Sequence, residues 1–162
     1  MSAVMVDPLA DLRFQLLREA DIDAVVDIET DVYVFPWSAG NFLDSLDSGY
    51  LCMGAFIHGE LVAYAVLMRA VDEAHLLNLA VADRWQRQGI AARFLERLID
   101  EARAMHCVEF YLEVRPSNLA ARALYDRFDF RQVGLRRDYY PAVTGREDAL
   151  FLSRSIRRGG VM

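Results

Sequence analysis

The stretch from residue 73 to residue 114 constrains the fold more than any other part of the sequence. Glu73–Val81 is rich in leucine and predicts a central strand, and Val108–Val114 predicts the next strand along the chain. A strand that feeds a helix and then another strand, as here and again from this second strand to the predicted strand at Phe130, implies a locally parallel centre in a mixed sheet. Between the two strands, a helix from Gly89 to about Met105 is indicated by apolar residues at helical spacing: Ile90, Phe94, Leu95, Leu98, Ile99 and Ala102.

The other elements complete an α/β pattern. Asp21 is expected to cap a helix that runs to about Tyr33, and Ser38 a second helix that runs to about Ser48 and is ended by Gly49. His58-Gly59 predicts a hairpin turn. The remaining predicted elements are strands at Arg13–Leu17, Tyr50–Ile57, Leu61–Arg69, Phe130–Tyr140 and Ala149–Ser155, and a helix at Asn118–Phe128. The resulting order, β-α-α-β-β-β-α-β-α-β-β, predicts a mixed central sheet of about seven strands with flanking helices.

The length and net charge of the chain limit the number of domains and the functions that it can have. With 162 residues and no linker or repeat, we expect one domain, 1–162, with a core of about 13–155 and mobile termini. A net charge of −6 argues against direct nucleic-acid binding and suits a cationic substrate. No segment is apolar for the ~18 residues of a membrane span, and the start lacks the pattern of a secretory signal, so we expect a cytoplasmic protein.

The cysteines and histidines favour no metal or redox chemistry. Cys52 and Cys107 sit in apolar runs, which indicates buried reduced thiols rather than a disulfide. The three histidines are scattered, without the spacing of metal ligands, so no metal is expected.

The turn between the central strand and the long helix has the features of an anion site. A helix N-terminus carries unpaired N–H groups and a partial positive charge. Gly89, Ala91 and Ala92 allow a bulky diphosphate to approach the backbone, and Arg87 adds a cation. The stretch lacks the lysine and Ser/Thr of a P-loop and has only one glycine, unlike a dinucleotide fingerprint. From the spacing alone, an ordinary strand-to-helix turn is an equal alternative.

The segment Gln86-Arg87-Gln88-Gly89-Ile90-Ala91 resembles the Q/R-x-x-G-x-G/A signature of the GCN5-related N-acetyltransferase (GNAT) family. The resemblance implies the GNAT fold over about Phe14 to Ser155 and acetyl-coenzyme A as co-substrate. It also implies a bulge in the central strand, where a backbone N–H near Val81 polarises the acetyl carbonyl. The cofactor contacts that it implies are Val81, Arg87, Gln88, Gly89, Ile90, Ala91 and Ala92.

Acyl transfer to an amine requires a base for the amine and an acid for the departing thiolate. Glu113, at the end of its strand, is the candidate base, although a solvated glutamate or one paired with Arg115 is the common alternative. The string from Leu112 to Asn118, followed by Ala123-Leu124-Tyr125, resembles one branch of the family, bacterial enzymes that acetylate the N-terminal alanine of a ribosomal protein. The resemblance implies Glu113 as base, Tyr125 as acid and Asn118 as a coenzyme contact. Tyr125 as a core aromatic and Asn118 as a helix cap are the alternatives.

Two aromatic loop segments are candidates for holding the acceptor. Phe35-Pro36-Trp37-Ser38 and Asp138-Tyr139-Tyr140-Pro141 lie outside the periodic elements, and Trp37, Tyr139 and Tyr140 could line a peptide groove or simply pack at an edge. Both strings resemble those of the same branch, with aspartate at position 138 in place of asparagine. A second departure is Asp129, where relatives usually carry glycine with positive φ, so some backbone strain is expected.

Together these features predict direct transfer from acetyl-coenzyme A in a ternary complex, without an acetyl-enzyme. The resemblance implies the α-amine of the N-terminal alanine of the eighteenth small-subunit ribosomal protein as acceptor, so the partner is a basic N-terminal segment. Acetylation of a small-molecule amine and a catalytically silent acyl-coenzyme A-binding module remain the alternatives. The sequence makes no statement about oligomeric state.

Overall fold

The computed structural model describes Asp7 and residues 9–157, and within them it contains seven strands and four α-helices in the predicted order. The strands are β1 (Leu12–Leu16), β2 (Leu51–Ile57), β3 (Glu60–Ala70), β4 (Glu73–Val81), β5 (Glu109–Val114), β6 (Arg131–Pro141) and β7 (Arg146–Ser155). The helices are α1 (Ile22–Val32), α2 (Ala39–Asp47), α3 (Ile90–Ala104) and α4 (Leu119–Arg127). The predicted mobility of the termini concerns residues that lie mostly outside the described ones. None of the described helices is long and apolar enough to cross a membrane.

The strands form one mixed sheet in the order β1-β2-β3-β4-β5-β7-β6, which confirms the predicted sheet and the central place of β4. β4 and β5 are parallel, and Glu73–Leu76 pairs with Glu109–Leu112. β7 is antiparallel to both of its neighbours. The β5-α4-β6 unit therefore yields no parallel pair of neighbours, because β7 inserts between β5 and β6.

Local signals in the sequence fix several element ends. Ser38 caps α2, since its hydroxyl accepts a hydrogen bond from the Asn41 N–H at 3.2 Å. His58 and Gly59 both have positive φ, as a two-residue hairpin turn of the primed type requires. Asp21 is the N-cap residue of α1, as predicted, but its carboxylate accepts from the Arg18 N–H at 2.8 Å and makes no side-chain cap bond to the helix. Asp21 instead closes the short 3-10 turn that precedes the helix.

The described chain divides into two compact units, and the first comprises residues up to 66 together with 79–94. Its core is an apolar cluster from α1, α2 and the adjoining strands: Leu17, Ile22, Val25, Ile28, Phe42, Cys52, Tyr64, Val66 and Ala80. The Cys52 thiol is free, as predicted, and burial raises its pKa to about 11. The thiol is therefore an apolar group in this core and a poor nucleophile.

A buried carboxylate organises the connection between α1 and α2. Glu29 lies on the apolar face of α1 with only 1% of its surface exposed. It accepts a hydrogen bond from the Tyr64 hydroxyl at 2.6 Å and another from the Trp37 backbone N–H at 3.0 Å. Burial, and then the hydrogen bond to Glu29, raise the pKa of Tyr64, so its hydroxyl stays a donor. Glu29 therefore links the Phe35-Pro36-Trp37 loop to β3.

The second unit comprises residues 67–78 and those from 95 onwards. Phe110 of β5 packs edge-on against Phe130 with ring centroids 5.6 Å apart, and Tyr125 of α4 packs against the same ring at 5.8 Å. Cys107 is free and buried, and burial is the main cause that raises the pKa of its thiol. The predicted reduced state of both cysteines is thus confirmed.

Asp129 ends α4 in the conformation that its position predicts. Its φ is 67°, in the left-handed region that glycine favours, and its side chain is exposed. An L-residue in that region costs about 1–2 kcal/mol, although aspartate is among the more tolerant side chains. The fold accommodates the aspartate at the cost of local strain.

We expect Asp129→Gly to stabilise the protein by about 0.5–1 kcal/mol. Glycine removes a conformational cost of about 1–2 kcal/mol and adds a backbone-entropy cost of about 0.5–1 kcal/mol. Urea unfolding of the two proteins measures the difference. Asp129→Asn should leave the free energy of unfolding nearly unchanged, and Asp129→Val should lower it. A glycine variant less stable than the parent protein would show that the backbone at Asp129 is not strained.

We expect Glu29→Ala to lower the free energy of unfolding by about 2–6 kcal/mol. The substitution leaves the Tyr64 hydroxyl and the Trp37 N–H without their acceptor, at about 1–3 kcal/mol for each buried group. Glu29→Gln keeps one acceptor oxygen, so it should lower the free energy of unfolding by less than Glu29→Ala does. The exposed Glu96 provides the control, since Glu96→Ala should change stability by less than about 0.5 kcal/mol. Equal losses in the two alanine variants would show that the network does not stabilise the fold.

Candidate active site

In the first unit, the turn after β4 is fixed by its own side chains. Residues 83–85 form a short 3-10 turn, and the Gln86 side-chain amide donates to the Val81 carbonyl at 3.0 Å. The Gln88 side chain donates to the Arg84 carbonyl at 3.2 Å. These bonds hold the turn in place before α3 begins.

The beginning of α3 has the geometry that an anion site needs. Arg87 and Gly89 both have positive φ, at 64° and 86°, which turns the backbone into the helix. The first α-helical hydrogen bond runs from the Arg93 N–H to the Gly89 carbonyl at 3.2 Å, so the amides of Ile90, Ala91 and Ala92 precede the helical ladder. The first turn contains no acidic residue. Its partial positive charge is therefore not offset by a carboxylate of the helix itself.

The predicted coenzyme contacts of this segment differ in whether their side chain or only their backbone amide is accessible to a ligand. Arg87, Gln88 and Gly89 are exposed, and the guanidinium of Arg87 forms no ion pair with any described residue. A Cβ on Gly89 would meet no atom within 4 Å, so its φ, and not crowding, requires glycine here. The Ile90 side chain is buried in the protein, so only its backbone amide is available to a ligand.

Near the end of β4, backbone groups already have partners. The Leu79 carbonyl accepts a hydrogen bond from the Tyr33 hydroxyl at 2.7 Å. The Ala82 N–H donates to the Val62 carbonyl at 2.9 Å, and Val81 is buried. A polarising N–H at Val81 stays a prediction. Tyr33 was not anticipated, because its partner lies 46 residues further along the chain.

Trp37 combines packing with partial exposure. Its ring contacts Phe42 with centroids 5.2 Å apart, and its backbone N–H is held by Glu29. The side chain is half-buried, whereas the neighbouring Phe35 is 43% exposed. Edge packing is thus present, and one part of the indole remains available to an acceptor.

In the second unit, Glu113 lies where β4 and β5 have stopped pairing. The paired register of these strands ends at Leu76 and Leu112, whereas β5 continues to pair with β7, placing Glu113 opposite Phe151. Glu113 is half-buried, and the Tyr140 hydroxyl lies 3.5 Å from its Oε2. The structure thus brings together the candidate base and one of the aromatic residues proposed for the acceptor.

Tyr125 lies on the buried face of α4. Burial raises the pKa of its hydroxyl to about 12, so the phenol is protonated across the neutral range. No hydrogen bond from the Tyr125 hydroxyl to another described residue is present. The core packing that was the alternative for this residue is observed, and it leaves the O–H as a donor.

Asn118 caps α4, as the alternative for this residue supposed. Its side-chain oxygen accepts from the Ala121 N–H at 3.2 Å. A coenzyme contact would therefore use the amide NH2 group, and it stays a prediction.

Two arginines fix the aromatic pair of β6. The guanidinium carbon of Arg136 lies 5.0 Å from the Tyr139 ring centroid, and that of Arg115 lies 4.4 Å from the Tyr140 ring centroid. The two tyrosine rings meet edge-on at 5.0 Å. Tyr139 is 40% exposed and Tyr140 is half-buried, so the pair presents one open and one sheltered ring.

The bulge that carries this pair depends on Asp138. Its φ is 51°, its N–H donates to the Asp148 carboxylate at 2.9 Å, and its carbonyl accepts from Arg146 at 2.8 Å. These three features coincide with a register shift between Arg136 and Tyr140. Asparagine and aspartate both tolerate this φ, so the change relative to the resembling branch leaves the backbone intact.

Comparisons with known proteins agree with this fold. The family model described as the acetyltransferase (GNAT) family matches residues 22–130. The [ribosomal protein bS18]-alanine N-acetyltransferase of Escherichia coli (strain K12) is 39% identical over 140 residues, 86% of this chain and 95% of the relative. The crystal structure of the ribosomal-protein-S18-alanine N-acetyltransferase from Escherichia coli superposes with a TM-score of 0.87 at 37% identity and covers 93% of this chain and 97% of its own. Arabidopsis thaliana NAA60 in complex with acetyl-CoA shares the fold at 18% identity, with a TM-score of 0.78 over 91% of this chain and 99% of its own. The chain belongs to the acetyltransferase (GNAT) family.

Proposed function

We propose that this enzyme transfers an acetyl group from acetyl-coenzyme A to the α-amine of the N-terminal alanine of ribosomal protein bS18, a small-subunit protein. The observation that carries the proposal is the similarity to the Escherichia coli bS18-alanine N-acetyltransferase, which extends over 95% of that relative's length. The transfer is direct, and one N-acetyltransferase domain performs it in the cytoplasm.

The turn before α3 is the proposed site for the coenzyme's diphosphate. The amides of Ile90, Ala91 and Ala92 precede the helical ladder, and Arg87 supplies an exposed cation beside them. This donor set fits a doubly charged anion. NAA60 of Arabidopsis thaliana, which shares the fold, has a crystal structure in complex with acetyl-CoA. The bound thioester supplies an activated acetyl group, and the protein's residues bind and orient it.

Glu113 is the proposed general base. A peptide α-amine has a pKa of about 7.7–8.0, so most of it is protonated at neutral pH and a carboxylate suffices to remove the proton. The half-buried Glu113 receives that proton, directly or through a water, before the neutral amine attacks the acetyl carbonyl. The nitrogen loses its second proton to solvent as the C–N bond of the amide forms.

Tyr125 is the proposed general acid. Its raised pKa keeps the O–H intact at neutral pH, so it can donate to the sulfur as the C–S bond breaks. Of the two protons that leave the nitrogen, one replaces through solvent the proton that Tyr125 gives to the thiolate, and the other is released when Glu113 returns to the carboxylate. Cys52 and Cys107 are buried, and burial raises the pKa of each thiol, which disfavours an acetyl-enzyme intermediate.

The acceptor is proposed to lie against Trp37, Tyr139 and Tyr140. Their partly exposed rings offer rigid apolar walls for a peptide backbone. The net charge of −6 favours the approach of a basic N-terminal segment over that of nucleic acid.

We expect peptides that begin with Ala-Arg to gain one acetyl group at the α-amine, and Glu113→Gln to be about 10²–10⁴-fold slower in kcat. Mass spectrometry of a peptide panel incubated with enzyme and acetyl-coenzyme A measures both. Glu109→Gln is the matched control, since Glu109 lies on the same strand and face and its carboxylate accepts from the Ser153 hydroxyl. Preference for free polyamines over the peptides would overturn the acceptor, and equal rates for the two glutamine variants would overturn the base.

We expect Arg87→Gln to weaken coenzyme A binding by about 3–10-fold at low ionic strength, with a smaller effect at high salt because exposed charges are screened. Isothermal titration with coenzyme A at two salt concentrations gives the affinity without any acceptor. Arg97→Gln, which removes an exposed charge paired with Glu101 on the same helix, should leave the affinity unchanged. If both variants bound coenzyme A as the parent does, the diphosphate would have to lie elsewhere.

A further inference from the structure

Arg115 directly follows the strand that carries Glu113, and two acceptors anchor its guanidinium. Its Nη1 donates to the Pro141 carbonyl at 2.8 Å and lies 3.4 Å from the Glu147 carboxylate. Both charged side chains are largely sheltered, with 29% and 21% of their surface exposed. The arginine is thus bonded to the end of β6 and the start of β7.

Glu147 is itself held in place. One carboxylate oxygen accepts from the Ser117 N–H and the other from the Ser117 hydroxyl, each at 2.9 Å. The Ser117 hydroxyl is the largest cause that lowers the pKa of Glu147, and Arg115 adds to it. The lowered pKa keeps this carboxylate ionised at neutral pH, where it pairs with Arg115.

Anchored in this way, the guanidinium of Arg115 covers the ring of Tyr140. The guanidinium carbon lies 4.4 Å from the ring centroid, within the range of a cation–π contact. The Tyr140 hydroxyl then lies 3.5 Å from Oε2 of Glu113, a long hydrogen bond of the kind that tightens when a substrate binds. Burial, and then the charge of Glu113, raise the pKa of Tyr140, so the hydroxyl remains the donor.

We propose that Arg115, anchored by Glu147, is a positioning residue for Glu113 and acts through Tyr140. The stacked guanidinium restricts the rotation of the tyrosine, and the tyrosine hydroxyl holds one carboxylate oxygen of Glu113, leaving the other for the amine proton. The inference rests on the proposed function, in which Glu113 is the base. It adds Arg115 and Glu147 to the residues of the site, and it gives Tyr140, already proposed to contact the acceptor, a second role.

The kinetic test is a double-mutant cycle on an Ala-Arg peptide. Arg115→Met and Tyr140→Phe should each lower kcat by about 10-fold with the KM for acetyl-coenzyme A unchanged, and the double variant should be no slower than either one, since coupled residues are non-additive. Arg115→Lys should fail to restore the rate, because a point charge lacks the planar group that stacks and bonds at two sites. Effects that multiply in the double variant, or full rescue by lysine, would overturn the proposal.

Arg131→Met is the matched control, since Arg131 pairs with the exposed Asp126 in the same unit, away from this cluster. It should leave kcat unchanged. If it lowered kcat as much as Arg115→Met, a general loss of structure would explain both, and the proposal would fail.

A second measurement needs no catalysis. In protein labelled with ¹³C at the tyrosine ring, the Tyr140 signal is the one that disappears in Tyr140→Phe. It should shift in Glu113→Gln, Arg115→Met and Glu147→Gln, and stay in place in Arg131→Met. An unmoved signal in Arg115→Met would overturn the positioning role even if Glu113→Gln is slow. If the signal shifts in all three variants but the enzyme does not acetylate peptides that begin with alanine, the coupling of Arg115, Tyr140 and Glu113 is supported. The proposed acceptor is then rejected instead.

Discussion

Parallel pairing of β4 with β5 is the constraint on which the rest of the structure depends. Parallel neighbours cannot be joined by a tight turn, so the chain must cross over, and α3 is that crossover. The pairing is short: Glu73–Leu76 of β4 pairs with Glu109–Leu112 of β5, so it ends one residue before Glu113. On the other side of β5, pairing with β7 continues through Val114. The candidate base therefore lies on a strand that is held along one edge and open along the other.

Each compact unit uses a sheltered carboxylate to hold an aromatic segment. In the first unit, Glu29 accepts hydrogen bonds from the Tyr64 hydroxyl and the Trp37 N–H. In the second, Glu147 holds Arg115, whose guanidinium covers Tyr140. In both carboxylates each oxygen accepts a hydrogen bond, and a carboxylate bonded in this way restricts its partners. Both segments that carry proposed acceptor-binding rings are fixed by this means.

Features set by neighbouring residues were predictable from the sequence. The apolar spacing of α3, the Ser38 cap, the His58-Gly59 turn and the positive φ of Asp129 all depend on contacts within a few positions. The anion-site segment could be located for the same reason, because the signature is contiguous and the helix supplies the donors. The roles of its residues toward the coenzyme stay predictions.

Features that depend on distant partners were not predictable. The Glu29–Tyr64 bond spans 35 positions and the Arg115–Glu147 pair spans 32, and no periodicity links such residues. The insertion of β7 between β5 and β6 is of the same kind, since several strand orders suit the same alternation. Asp21 occupies the predicted N-cap position of α1, but its side chain makes no cap bond because its carboxylate accepts from the Arg18 N–H instead. A glutamate on the apolar face of α1 was the one visible sign of a buried network.

The strand order also has a consequence for biosynthesis. Tyr140 belongs to β6, but β6 is joined to β5 only through β7, whose residues are made after both. A nascent chain that has emerged only as far as β6 holds Glu113 on an unfinished sheet edge, with its tyrosine partner unattached. Such non-local closure is slow compared with helix formation. Contact between Tyr140 and Glu113 within this sheet therefore requires residues 146–155, because β7 is the strand that pairs with both β5 and β6.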